Sequence, residues 1–292
     1  FLINTEFLES NSVNAPMIFL NRNATLKFDR IDPFLSNYER SFTGNELSIR
    51  NPSYGIQAQA LYRLSPNWTS QTVISRSSTK TDGYYHYLFD AGDGDSFTRF
   101  ISDRNGQTIT TDLQQNFIGD FSLGQFRNRM VIGLDYYDQS IFNGSTGYVA
   151  NGAVRLSDGS DSGVLTQAGV DDLLRNSFEG NSTGKSTVLS AYISDVINLR
   201  SNLSVMASLR ADRFEGKTDY WIEEEVKSQT ALSPKLGIVY QPIKDKLSVF
   251  ANYMNGFVNL APRTVANVDG SSPRLQAFEP EQANQYEFGV KA

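Results

Sequence analysis

Cysteine is absent from the 292 residues, and histidine occurs once, as His86. The first absence removes disulfides and thiolate metal sites, and it suits a chain that crosses an oxidising periplasm unfolded. The second removes every dyad, triad or metal site built from two histidines. Long apolar runs are missing as well. No stretch nears the ~18 consecutive apolar residues of a membrane helix, and mean hydropathy is −0.36, so a helical membrane protein is excluded. Positive charge is scarce and scattered. Against 32 Asp and Glu stand 26 Lys and Arg, a net charge of −6, with no basic stripe for nucleic acid.

Aromatic residues are plentiful: 14 Tyr and 19 Phe, in a chain only 39% hydrophobic. That mixture suits strands that are apolar on one face only. A membrane β-barrel is made this way, because its lipid-facing residues alternate with polar lumen residues and cancel in a hydropathy window. The period-2 pattern is long and repeated. Tyr54, Ile56, Ala58, Ala60 and Tyr62 share one face, opposite Gly55, Gln57, Gln59 and Arg63. Met130, Ile132, Leu134 and Tyr136 oppose Arg129, Gly133, Asp135 and Tyr137. Val205, Ala207, Leu209 and Ala211 oppose Ser208, Arg210 and Asp212, and Leu247, Val249, Ala251 and Tyr253 alternate with Ser248, Phe250 and Asn252.

Short turns at Ser65-Pro66-Asn67, Leu123-Gly124-Gln125, Asn198 to Asn202 and Pro242 to Asp245 alternate with long polar connections. The latter span roughly Asp82–Gln107, Asn143–Lys185, Gly216–Ser228 and Gly256–Asn284. Connections in sandwiches and propellers are usually ~2–5 residues at both ends of the sheet. Barrels of the outer membrane instead have short periplasmic turns and long external loops. Tyr62, Trp68, Phe117, Phe121, Phe126 and Tyr240 beside the short turns fit a periplasmic aromatic girdle, with Tyr136, Tyr137, Trp221 and Tyr253 as its external counterpart. The competing reading is a soluble sandwich with these aromatics in its core; it leaves the polar faces along many strands unexplained. A short helix is expected around Val170 to Leu174, inside the longest loop. Both ends of the sequence, Phe1 to Leu8 and Tyr286 to Lys291, read as strand interior. The expectation is therefore that residues 1–292 are one stretch of a larger barrel.

Four stretches carry a resemblance. Ala231 to Pro242 (ALSPKLGIVYQP) is followed by Leu247 to Tyr253, and Phe278 to Lys291 (FEPEQANQYEFGVK) comes next in order. Upstream stands Leu209-Arg210-Ala211-Asp212-Arg213-Phe214. In order and spacing these resemble the barrel strands of TonB-dependent receptors, and Asn259 to Arg263 with Asn267 to Ser271 is most similar to the branch that takes up ferric siderophores. The resemblance covers about Ser186 to Lys291. It implies an all-β, antiparallel transmembrane barrel of about 22 strands, closed around an N-terminal plug. About ten of those strands fall in this chain. It also implies that the plug domain and the C-terminal strands lie outside the sequence, that the location is the outer membrane, and that the partners are a ferric siderophore, the TonB complex acting through the plug, lipid and lipopolysaccharide.

No catalytic constellation is present, so the chain does not read as an enzyme; the resemblance implies a transporter. Iron arrives already chelated and the protein needs no cofactor or metal ligands of its own. What a chelate needs is aromatic faces, hydrogen-bond donors and cations. Tyr84, Tyr85, His86 and Tyr87 are the leading candidates, with Phe257 and Arg263 at the start of the last long loop. By alternation Tyr84, His86 and Leu88 share a face opposite Tyr85, Tyr87 and Phe89; the same residues could form a lipid-facing girdle. Asp90, Asp93, Asp95 and Asp103 crowd one loop and could bridge a hard cation, although their spacing misses the EF-hand pattern. A passive porin, or a receptor for cobalamin or glycan, is the alternative function.

Overall fold

The structure is a computed structural model that describes residues 1–14, 16–21, 40–218, 228–260, 263–276 and 278–292. Strands appear in the order β1 (Leu2–Leu8), β2 (Asn11–Ser12), β3 (Met17–Phe19), β4 (Ile49–Arg50), β5 (Ser53–Ser65), β6 (Trp68–Asp90), β7 (Ser96–Leu123), β8 (Phe126–Thr146) and β9 (Val149–Arg155). A helix α1 (Gln167–Leu174) follows, then β10 (Glu179–Arg200), β11 (Leu203–Thr218), β12 (Gln229–Ile243), β13 (Leu247–Val258), β14 (Arg263–Val265), β15 (Arg274–Gln276) and β16 (Glu281–Lys291). Ten of these form one antiparallel wall in the order β1-β5-β6-β7-β8-β10-β11-β12-β13-β16. The wall is an open sheet, matching the expected number of strands and not closing on itself.

The four short turns fall where the sequence places them. The long connections do not all stay loops. Much of 82–107 is strand, since β6 and β7 continue as a paired hairpin up to Asp90↔Phe97. Likewise 143–185 contains the end of β8, all of β9, α1 and the start of β10. Turn-rich composition concealed these extensions, because a hairpin with one face under a cap and the other bearing aromatics loses the clean polar–apolar alternation. Trp221, assigned to the external girdle, and the acidic run Glu223 to Glu225, read as a solvated loop tip, lie outside the described residues.

Register shows what the wall divides. Ile74, Leu113, Tyr136 and Leu189 form one row across four strands on the outward face. Leu134, Leu232 and Leu236 on that face are 59%, 55% and 55% exposed, so no second sheet covers them. A sandwich is thereby ruled out. Two residues further from the short turns the same face changes to Arg76, Thr111, Asp138, Thr187 and Glu215. At the opposite boundary Trp68 stacks on Phe121, with centroids 5.5 Å apart. From Leu203 to Arg213 the chain rises about 33 Å along the strand, or ~23 Å in height at a tilt of ~45°. That equals the apolar band of an outer-membrane barrel, about 25 Å. Three polar residues within the band satisfy one another: Thr72 Oγ1 donates to Gln115 Oε1 (2.6 Å), and Gln115 Nε2 donates to Ser70 Oγ (2.9 Å).

The inward face is a hydrogen-bonded network. Arg210 donates to Asp135 Oδ2 (3.0 Å), Asp212 Oδ1 (2.8 Å) and Ser190 Oγ (2.7 Å), and its guanidinium lies over the Tyr192 ring at 5.3 Å. Gly133 makes room for that ring, since a Cβ there would lie 2.2 Å from Tyr192 Cζ. Tyr137 joins this inward face, lining a recess with Asp112 and Arg210. It is therefore not part of the external girdle assigned to it, and Tyr253 sits mid-wall, six positions above Leu247 and against Tyr286. Alternation places Tyr136 and Tyr137 on opposite faces, so only one of such a pair can meet lipid.

Candidate functional site

Above the polar boundary the β6–β7 hairpin projects outward, and its two faces have different fates. Tyr84, His86, Leu88 and Asp90 are all buried, whereas Tyr85 and Tyr87 are half-buried and Phe89 is exposed. The alternation expected from sequence holds residue by residue.

The buried face carries a cap. Leu47, Tyr84, Ile101, Val170 and Leu174 form one cluster; Leu88, Phe97, Val154 and Leu156 form a second. Val170 and Leu174, one helical turn apart, are the buried side of α1. The helix presses them onto the hairpin, and the Tyr84 hydroxyl donates to Asp171 Oδ1. Burial, and then Asp171, raise the Tyr84 pKa. Arg99, fully buried, reaches Asp161 through Nη1 (2.9 Å) and the Phe42 carbonyl through Nη2 (2.7 Å), tying the 156–163 segment to β7. Gly83, at φ +131°, lets the chain before Ile49 approach the edge of β6; a Cβ there would lie 2.2 Å from the Ser48 carbonyl oxygen. His86 is 1% exposed, and neither ring nitrogen has a partner among the described residues. Burial, with Arg99 adding repulsion, pulls its pKa down to about 4.

The opposite face continues the inward face of the wall. There Tyr87 stacks on Phe100 (centroids 5.2 Å, planes 21° apart), and Tyr148 and Phe19 meet Tyr87 edge-on at 4.9 and 5.2 Å. Arg104 lies over the Tyr148 ring at 5.0 Å and the Tyr85 ring at 5.7 Å. Below this patch opens a recess of about 830 Å³ lined by Tyr85, Arg104 and Tyr148 with Ile49, Thr79, Thr81, Gln107, Phe142 and Asn143. Aromatic faces, one guanidinium and a rim of hydroxyls and amides can grip a bulky aromatic or anionic molecule.

The six sequence candidates thus separate. Tyr85 and Tyr87 stand in the open patch. Tyr84 and His86 stand behind it under the cap, so neither they nor their neighbours face lipid. Phe257 packs edge-on against Phe214 at 5.5 Å and lines a lower recess on the inward face with Arg210 and Asp112. Arg263 begins the separate β14–β15 hairpin and is exposed. Phe100, Arg104 and Tyr148 were not anticipated; pairing 84–90 with 97–103 would have placed Phe100 opposite Tyr87. The acidic loop serves its own turns: Asp93 Oδ1 accepts from the Asp95 and Ser96 amides, Asp90 Oδ1 from Gly94, and Asp95 from Ser157. Among the described residues no three metal-binding side chains converge.

A wall of this register, with a lipid-height apolar band and a polar inner face, agrees with the family model described as TonB dependent receptor-like, beta-barrel, which matches residues 8–292. The chain belongs to this family. Its location is the outer membrane. Among the described residues no helix is long and apolar enough to cross a membrane, which has no bearing on crossing by strands. No curated protein matches the sequence. Among solved structures it is similar to the ferric preacinetobactin receptor BauA of Acinetobacter baumannii, with a TM-score of 0.76 at 13% identity over 99% of this chain and 41% of that one. The siderophore receptor PiuA of the same organism gives 0.71 at 13% identity, covering 99% of this chain and 44% of that chain. The ferric-catecholate import receptor Fiu of E. coli K12 gives 0.71 at 13% identity, covering 99% and 46%. The chain thus spans less than half the length of these three proteins.

Proposed function

We propose that this chain is the substrate-facing wall of a transporter that takes up ferric siderophores in a TonB-dependent manner. Residues 1–292 would then be a stretch of barrel in a longer protein whose plug domain and remaining strands complete the lumen; the part-length coverage of the relatives and the open sheet support this. The observation that carries the reading is the patch of Tyr85, Tyr87, Phe100 and Tyr148 around Arg104, above the membrane boundary and on the inward face. Aromatic rings pack on a chelator's aromatic or alkyl surface, and the guanidinium draws an anionic chelate. Iron needs no ligand from the protein, because the chelator already surrounds it. In this scheme Tyr85 and Tyr87 touch the ligand and Phe257 meets it lower in the lumen. Tyr84 and His86 act from behind by fixing the hairpin, and Arg263 belongs to the external rim. The siderophores named for BauA, PiuA and Fiu support the class, while cobalamin and glycan lack a feature here that favours them. Force on the plug through the TonB complex drives release inward, and lipid with lipopolysaccharide surrounds the wall.

The test uses the full-length receptor, purified in detergent and titrated with a synthetic iron(III) tris-catecholate by quenching of intrinsic fluorescence. Saturable binding is expected, and Arg104→Gln should weaken it about tenfold, since a desolvated cation–π contact and a charge-assisted hydrogen bond contribute ~1–2 kcal/mol. A chelate bound equally well by Arg104→Gln would remove the patch from the site. Ion conductance in planar bilayers, with no ferric chelate bound, would establish the passive porin instead.

A further inference from the structure

The outward face of the wall is not uniform. Ala191 and Ala211 pair across β10 and β11 in the row where Leu134 and Leu232 flank them. Two small side chains amid large ones leave a groove of about 500 Å³, walled by Leu113, Leu134, Tyr136 and Leu189. Its lining is almost wholly apolar. It opens on the lipid-facing band and lies in the upper part of it, so hydrocarbon is what meets it. At its upper end stands Arg213, roughly half-exposed and at the height where the apolar band ends. Among the described residues its guanidinium donates from Nε to Glu215 Oε1 (3.1 Å) and from Nη2 to Ser228 Oγ (3.2 Å). A guanidinium has five N–H donors, so among the described residues three remain for an acceptor at the membrane surface.

We infer that this groove is a specific lipid site: it holds one acyl chain of a phosphorylated glycolipid of the outer leaflet, whose phosphate accepts hydrogen bonds from Arg213. The inference deepens the proposed contact with lipopolysaccharide and rests on reading the outward face as the one in lipid. A lipid lacking the phosphate fills the same groove but forgoes the Arg213 contact. The site joins β8, β10 and β11, the strands whose inner face carries the Arg210 network, so an ordered lipid there would brace the wall from outside.

The experiment compares full-length receptor from outer membranes with the doubly filled variant Ala191→Leu/Ala211→Leu and with Arg213→Gln. Heat-modifiable electrophoretic mobility shows in each case that the barrel is folded. After exhaustive detergent exchange, retained lipid is measured by native mass spectrometry, and rebinding is measured with purified lipid A and with its dephosphorylated form. The native receptor should keep one phosphorylated glycolipid per chain. Groove filling should cut its retention at least tenfold. Arg213→Gln should abolish the preference for the phosphorylated form while leaving the dephosphorylated lipid bound. Equal retention by native and filled receptors would overturn the inference, as would retention of glycerophospholipid with no preference for glycolipid. Binding of the iron(III) tris-catecholate, followed on the same preparations, separates the two proposals: filling the groove should leave it unchanged.

Discussion

The buried histidine gives the sharpest prediction. His86 lies under the cap between Tyr84 and Leu88, beside Arg99, with Ile101 opposite it on β7. Its pKa in the folded cap is about 4, against 6.5 for a free imidazole. A group whose folded pKa is depressed is disfavoured when charged. The cap is therefore fully stable above pH 6.5 and loses stability as pH falls toward 4. Linkage between these two values makes opening of the cap about 2 kcal/mol easier at about pH 5 than at about pH 7.5, roughly a 30-fold change in the opening equilibrium. Staying at or above about pH 5 keeps ordinary carboxylates, with pKa values near ~4, mostly charged throughout. His86→Phe fills nearly the same space, removes the proton site and abolishes the dependence. The assay is amide hydrogen exchange of α1 and β9 in the full-length receptor, corrected for intrinsic exchange at each pH. Protection of these segments should fall about 30-fold in the native protein and stay flat in His86→Phe. An equal fall in both proteins would show that the imidazole is not the titrating group, and the argument from its burial would fail.

Two further outcomes follow from the wall. Leu209→Arg places a charge on the outward face near mid-band and should cost about 2–4 kcal/mol in urea unfolding from bilayers, whereas Ser208→Arg, one residue away on the inward face, should cost under ~1 kcal/mol; similar losses at both positions would contradict the assignment of faces. Gly133→Ala puts a methyl group into the Tyr192 ring and toward Asn116 Oδ1, and should lower stability by ~1–3 kcal/mol, with Tyr192→Ala recovering part of that loss in the double variant.

Much of the wall was legible beforehand. Strand positions, the four short turns, the number of strands and the two faces all follow from period-2 alternation, because a barrel strand meets lipid on one side and polar lumen on the other along its whole length. Above the membrane that boundary condition ends. Tyr84 to Asp90 alternates too, but one side is buried beneath residues from 47 and 170–174 and the other bears an aromatic patch, so polarity no longer tells the faces apart. His86 and Arg99 are polar groups in a packed interior, which composition assigns to a solvated loop. Phe100, Arg104 and Tyr148 have no local signal at all; they become a site only when the pairing Tyr87↔Phe100 is fixed.

Sequence by itself determined that this chain makes a sheet greasy on one side and wet on the other, tall enough to cross a bilayer, because that requirement is written into every second residue. Tertiary structure alone decided which tyrosines lie open beside Arg104 and which are sealed under α1. That choice depends on where distant segments pack, and packing partners far apart in the chain leave no period to read.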